Sequence, residues 1–249
     1  MRPVLVVAAT ALELRAALGG RDVPEAAAGG AVPWVFVGNR AGMRAGFLLT
    51  VTGIGVLNSA FVLGRVLAEN DVRAVIDLGV AGSFDTQRLP VGATCVVRRE
   101  IWPEYGVAGE RGVDAEALGF PLGEIGGRPV LDRVELDPRG AARAAGATLP
   151  EAWPFVDGLT VSAVTGTPDR ARMLRERYGT DSGMFERPMM IESMEGFALA
   201  YGCARAGIPL LEIRTISNPV GSRAREDWNL DAGLRALEHA MSLMFGGGR

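Results

Sequence analysis

Short apolar runs, each no longer than a strand, alternate with amphipathic stretches along the chain, and this alternation constrains the fold more than any other feature. Val4, Leu5, Val6 and Val7 form a continuous apolar run, and residues 74–79 form another broken only by Asp77. Runs of this kind belong to strands covered on both faces. Further strands are expected at 35–37, 47–51, 93–98, 159–164 and 210–216. Apolar positions at helical spacing mark 12–18, 58–69, 170–178, 196–206 and 230–244. Thr167, Pro168 and Asp169 read as a helix start: an N-cap, a proline at the first helical position and an acid at the positive end. Gly207 and Pro209 end the helix before them. Residues 106–149, richer in Gly, Pro and charge, read as loops around a short helix at 138–146. The pattern predicts one α/β domain over 1–249, with a mixed central β-sheet flanked by helices.

Composition removes several chemistries. All 26 cationic side chains are Arg. Without Lys there is no Schiff base and no Walker-type phosphate lysine. His239 is the one histidine, so a Ser-His-Asp triad has a single candidate and a cluster of metal-binding histidines has none. Neither a metal nor a cofactor is expected. Cys95 and Cys203 lie far apart in sequence, which fits a reducing compartment. The net charge of −3 without a basic run argues against nucleic acid. No apolar run approaches the ~20 residues of a membrane span. The N-terminal run is too short for a signal peptide. A cytoplasmic protein acting on a small molecule is expected.

Ligands of open α/β sheets sit beyond the carboxyl ends of the strands. That rule singles out residues 8–13, 52–55, 79–83, 165–167, 193–195 and 217–218. Glu13 and Glu195 each stand early in a helix just past a strand end. Each alone could be a favourable dipole contact. Together they suit glycoside chemistry, one activating water and the other holding sugar hydroxyls. Thr52-Gly53-Ile54-Gly55 resembles a dinucleotide fingerprint, but Asn58 occupies the place of the third glycine. A tight turn admitting a small ligand to the backbone is the better reading. Gly79-Val80-Ala81-Gly82-Ser83 reads as a second small-residue turn. Asn218 alone could be an Asx turn before Pro219, and Trp228 alone a packing anchor.

In their order and spacing these segments resemble the nucleoside phosphorylase/nucleosidase superfamily over nearly the whole chain. The likeness is carried by Ala8-Ala9-Thr10-Ala11-Leu12-Glu13, Thr52-Gly53-Ile54-Gly55, Gly79-Val80-Ala81-Gly82, Glu192-Ser193-Met194-Glu195-Gly196 and Arg214-Thr215-Ile216-Ser217-Asn218. It is greater to the hydrolase branch, the methylthioadenosine/S-adenosylhomocysteine nucleosidases, and greatest to the futalosine hydrolases of the menaquinone pathway. The resemblance implies a homodimer that cleaves a purine N-glycosidic bond with water. It makes Glu13 the acid that activates water, and Glu195 the ligand of the ribose hydroxyls, with Met194 beneath the sugar. Val80, Ala81 and Gly82 would line base and sugar, and Ile54 the 5′ side. Thr165, Gly166 and Thr167 would flank the base, Thr10 and Ser217 would complete the wall, and Trp228 would lie near the 5′ substituent.

Two departures bear on the substrate. The adenine-cleaving enzymes carry Asp where this chain has Asn218. A carboxamide can donate to a 6-oxo group and accept from N7–H, but cannot act as a general acid. That pattern suits hypoxanthine, the base of futalosine. No phosphate-binding loop follows the first strand, and Glu13 there would repel phosphate. Futalosine ends in a benzoate, for which Arg98, Arg99 and Arg223 are candidate partners, with Trp102 or Tyr105 to stack on its ring. The alternatives are another purine nucleosidase, of inosine or methylthioadenosine type, and a nucleotide-binding regulator without turnover.

Overall fold

The computed structural model describes residues 2–21, 23, 27, 32–37, 44–110, 112–179 and 188–246, with the backbone alone for 32–37 and 44–45. β1 (Val4–Ala8) runs parallel to β3 (Arg44–Val51) on one side and to β4 (Ala74–Ser83) on the other. β2 (Val32–Val37) closes that edge antiparallel to β3. On the other side of the sheet, β13 (Leu210–Pro219) runs parallel to β4 and antiparallel to β5 (Thr94–Ile101). β5 also pairs with β11 (Phe155–Thr160) and, antiparallel, with β10 (Arg133–Glu135). β11 pairs with β12 (Met190–Ser193), which returns antiparallel to β4 at Gly82 and Ser83. β4, β13, β5, β11 and β12 thus close a ring, and the mixed sheet expected from sequence is present.

Helices cover both faces. α1 (Ala11–Ala17), α3 (Pro138–Ala145) and α6 (Leu230–Phe245) pack on one face, and α2 (Val56–Glu69) and α5 (Gly196–Ala206) on the other. The run at the start of the chain is apolar throughout because both faces are covered. Val4, Val6 and Ala8 enter the first cluster, while Leu5 and Val7 enter the second. α4 (Pro168–Tyr178) seals the ring with Leu174 and Tyr178 against Ile101, Leu159 and Met190. Cys95 and Cys203 are buried free thiols in separate clusters.

Several expected boundaries differ. Residues 79–83 and 217–218 are not turns, because β4 and β13 each run for ten residues and pair to their ends. The strand expected at 159–164 lies at Phe155–Thr160, since the buried Asp157 there is neutralised by Arg98 and Arg99. The strand end inferred ahead of Glu195 is that of β12, to which the pattern gave no bounds because only four residues form it. The segment expected as loops also carries β6 (Val107–Gly109), β7 (Gly112–Asp114), β8 (Gly123–Ile125), β9 (Arg128–Val130) and β10. Three-residue strands leave too short a period to read.

One consequence of the pairing positions the site. β4 pairs with β1 at residues 74–77 and with β12 at 82–83, both on the edge away from β13. β1 and β12 diverge at Gly79 and Val80, and leave a cleft there.

Beneath the N-terminus of α5 lies a buried polar network. Arg214 on β13 directs its guanidinium to both oxygens of Asp77 and its Nε to Glu212 Oε1 at 2.9 Å. Burial pushes Asp77 up and the guanidinium pulls it back; because both oxygens accept, it stands as a carboxylate. Thr160 donates to Glu100 Oε2 at 2.6 Å and accepts from the Phe197 amide at 2.7 Å. Burial, and Glu212 beside it, push Glu100 well above the ordinary carboxylate range, so it holds a proton. The folded chain therefore binds a proton that the unfolded chain releases above pH ~4.3, and stability falls as pH rises through that interval. Glu100→Gln supplies the donor without a proton. Its urea midpoint should exceed that of the parent at pH 7 and converge with it near pH 4, and equal midpoints at both pH values would contradict the assignment.

Candidate active site

A cavity of about 320 Å³ opens at the divergence of β1 and β12. The turn from β1 into α1 contributes Ala9 and Thr10, the first turn of α1 contributes Leu12 and Glu13, and the turn before α2 contributes Ile54. β4 supplies Val80, Ala81 and Gly82; β12 and the turn after it supply Glu192, Ser193, Met194 and Glu195. Val164, Thr165, Ser217, Asn218, Trp228 and Leu230 complete the wall. The fold thus gathers most of the residues singled out from the sequence. Gly166 and Thr167 lie outside the wall. Thr167 caps α4 by accepting from the Arg170 amide at 3.3 Å, so from this segment Val164 and Thr165 form the wall.

Glu13 is buried and held by three donors. Thr10 and Glu13 form a capping box: the Thr10 amide and hydroxyl donate to Glu13 Oε2 at 3.0 and 2.7 Å. Oε1 accepts from the Val80 amide at 3.0 Å, at the cleft edge of β4. Glu195 is the N-cap of α5 rather than a first-turn residue. It makes no capping bond within its own helix and instead accepts from the Gly55 amide at 2.9 Å and the Met194 amide at 3.2 Å. Gly55 has φ +93°, which a side chain would strain, and this conformation turns its amide toward Glu195. Burial raises the Glu195 carboxyl, while Arg214 and the two amides lower it.

Arg214 links these acids to the buried network. A Cβ at Gly79 would overlap the Arg214 guanidinium and stand 3.2 Å from Glu13 Oε1, so only glycine lets that cation approach the cleft. Sequence reasoning assigned no role to Arg214. The signal was present: Glu212 and Arg214 are charges two apart in an apolar strand, hence on one buried face. Glu192 was also missed. Its Oε1 accepts from the Thr165 amide at 2.8 Å, and burial raises its carboxyl.

Asn218 lies in the wall with its carboxamide pinned. Oδ1 accepts from Ser217 Oγ at 2.8 Å, and Nδ2 donates to the Pro219 carbonyl at 3.0 Å. A flipped amide would set two oxygens together at Pro219. One N–H and one lone pair remain for a ligand. Arg98 and Arg99 are spent on Asp157, at 3.0 and 2.6 Å. Trp102 and Tyr105 stack on each other at 5.8 Å, and Trp102 also packs on Phe197. None of these four lines the cavity, which removes them as candidates for the 5′ group.

A family model described as Phosphorylase superfamily matches residues 4–245. The chain belongs to the phosphorylase superfamily. Among superfamily members, it is 32% identical over 210 residues to the futalosine hydrolase of Thermus thermophilus, covering 84% of this chain and 85% of that one. It is 30% identical over 180 residues to the 5′-methylthioadenosine/S-adenosylhomocysteine nucleosidase of Geobacillus kaustophilus, covering 71% and 68%. The superfamily fold is shared with the crystal structure of the nucleosidase of that name from Helicobacter pylori, at TM-score 0.68 and 18% identity, over 98% and 96% of the two chains.

If Glu13 is the base that activates water, Glu13→Gln keeps the capping geometry and removes the proton acceptor. Turnover should fall by roughly 10²–10⁴, with substrate affinity little changed. Steady-state kinetics and ligand titration on folded protein read this out, and a loss of only a few-fold would return Glu13 to a purely capping role.

Proposed function

We propose that the chain hydrolyses the N-glycosidic bond of a 6-oxopurine nucleoside, with futalosine as substrate and hypoxanthine and dehypoxanthine futalosine as products, a step of menaquinone biosynthesis. The pinned carboxamide of Asn218 carries this reading. Its free N–H suits O6 and its free lone pair suits N7–H. An adenine would present its 6-amino group to a donor. The relative named futalosine hydrolase supports the same substrate, and the one named nucleosidase supports the same bond.

In this reading, cleavage runs through an oxocarbenium-like transition state. Glu195 binds the ribose hydroxyls, and its charge with that of Glu13 favours the developing cation. The base leaves with the bonding electron pair as an anion and takes its proton through water, while Asn218 receives it by hydrogen bonds, since a carboxamide has no proton to give up. Glu13 takes the proton of the attacking water, and its carboxylate keeps inorganic phosphate from that place. Free hypoxanthine should therefore appear without added phosphate and without a sugar 1-phosphate. For paired substrates with the same 5′ group, hypoxanthine over adenine should reach about 10³ or more in kcat/KM, since a buried mismatch of this kind costs up to ~10⁴–10⁵. Asn218→Asp should lower that ratio. A ratio left unchanged would mean that Asn218 does not read the base.

We also propose that the enzyme works as a cytoplasmic homodimer. Ile54 in the turn before α2 and Leu57 and Phe61 in its first turns are 58%, 83% and 71% exposed, beside the cavity mouth. An apolar stripe of this kind fits a second copy of the chain. Among the described residues no helix is long and apolar enough to cross a membrane. Phe61→Glu should yield a monomer by sedimentation, and a dimer retained in that variant would place the interface elsewhere.

A further inference from the structure

The inner wall of the cavity carries three acids, Glu13, Glu192 and Glu195, yet a cation stands at its mouth. The Arg223 guanidinium lies over the Trp228 ring, 4.8 Å from the centroid, and Trp228 lines the cavity. The Arg223 stem crosses Gly166: a Cβ there would meet its Cγ at 3.6 Å. Arg223 therefore spans the rim from the segment beside Thr165 to the indole. Among the described residues it has no carboxylate partner, whereas Arg98, Arg99, Arg170 and Arg214 are each paired.

The loop that carries Arg223 is held at both ends. The Gly221 amide donates to the Thr165 carbonyl at 3.2 Å, and the Asn229 amide to the Ser217 carbonyl at 2.8 Å. The indole Nε1 donates to the Ser222 carbonyl at 3.0 Å, which fixes the ring. Ser222 also bonds Asp227 Oδ2 at 2.5 Å and accepts from the Ala224 amide at 3.2 Å. A guanidinium held over an indole and paired with no carboxylate among the described residues has N–H edges left for a ligand. Those edges match a carboxylate in bidentate geometry. The indole beside it is a surface for a flat ring.

We infer that Arg223, held on Trp228, is the specificity residue of the cavity mouth, and that it selects nucleosides whose 5′ substituent carries a carboxylate on a flat ring. The inference rests on the hydrolase reading above and names which side chain meets the far end of the substrate. An uncharged 5′ group gains nothing from the guanidinium. An anionic group without such a partner would meet the field of three wall acids.

The test compares futalosine with its methyl ester, which shares base, ribose and chain and lacks the charge. The parent protein should favour the acid over the ester by roughly 10-fold or more in kcat/KM, mostly through KM, as expected for a charged hydrogen-bonding pair at a half-open rim. The preference should shrink as salt rises. Arg223→Gln should bring the acid-to-ester ratio close to one by slowing the acid, and Arg223→Lys should restore part of it. Equal loss on acid and ester, or an unchanged ratio in Arg223→Gln, overturns the inference and leaves the hydrolase reading standing. No hypoxanthine from either compound with the parent protein overturns the hydrolase reading, and this inference with it.

Discussion

A single buried guanidinium holds the centre of this molecule together. Arg214 lies under the N-terminus of α5 among more carboxyl groups than one cation can neutralise. It pairs with Asp77 and Glu212 and is held fully charged by them. Glu100, beside Glu212, is left to keep its proton. A buried ion pair of this kind stabilises little when taken whole, but removing one partner strands a charge at a cost of about 3–5 kcal/mol. Its value lies in geometry. Asp77 and Arg214 are tied across β4 and β13, and that tie sets the cation behind Glu13 and Glu195.

The cleft itself comes from strand pairing. β4 is shared by β1 and β12 along the same edge, and neither covers Val80. The backbone amide exposed there is taken by Glu13, which the capping box of Thr10 already orients. Glu195 arrives from the opposite wall and is fixed by the Gly55 amide. Each acid is thus placed by backbone donors on rigid elements, a preorganised arrangement for stabilising charge that develops in a transition state. Around these acids the wall is largely apolar, which strengthens every electrostatic contact within it.

The chemistry and the fold were legible in the sequence to different depths. Continuous apolar runs showed the buried strands, because burial on both faces removes alternation. Gly207 and Pro209 marked the C-terminal end of α5. Glu13, Glu195 and Asn218 could be picked out because each sits at a strand end, where ligands of α/β sheets bind. The short strands between residues 106 and 135 were not legible, since three residues carry no period. Thr165 was placed in the wall, but Gly166 and Thr167 were carried along with it, because a loop register leaves no mark in composition.

The sequence by itself determined the class of fold and singled out the two strand-end acids and the Asn218 carboxamide, since residue type and strand-end position suffice for those. Only the tertiary structure decided how they act together. It pinned the Asn218 amide through Ser217 and the Pro219 carbonyl, brought Arg214 behind Glu13, and left Arg223 alone among the candidate arginines facing the cavity mouth. Those outcomes depend on contacts between segments far apart in the chain. A hydrogen bond or an ion pair is satisfied in space, and spacing along a sequence does not say which carboxylate an arginine will meet.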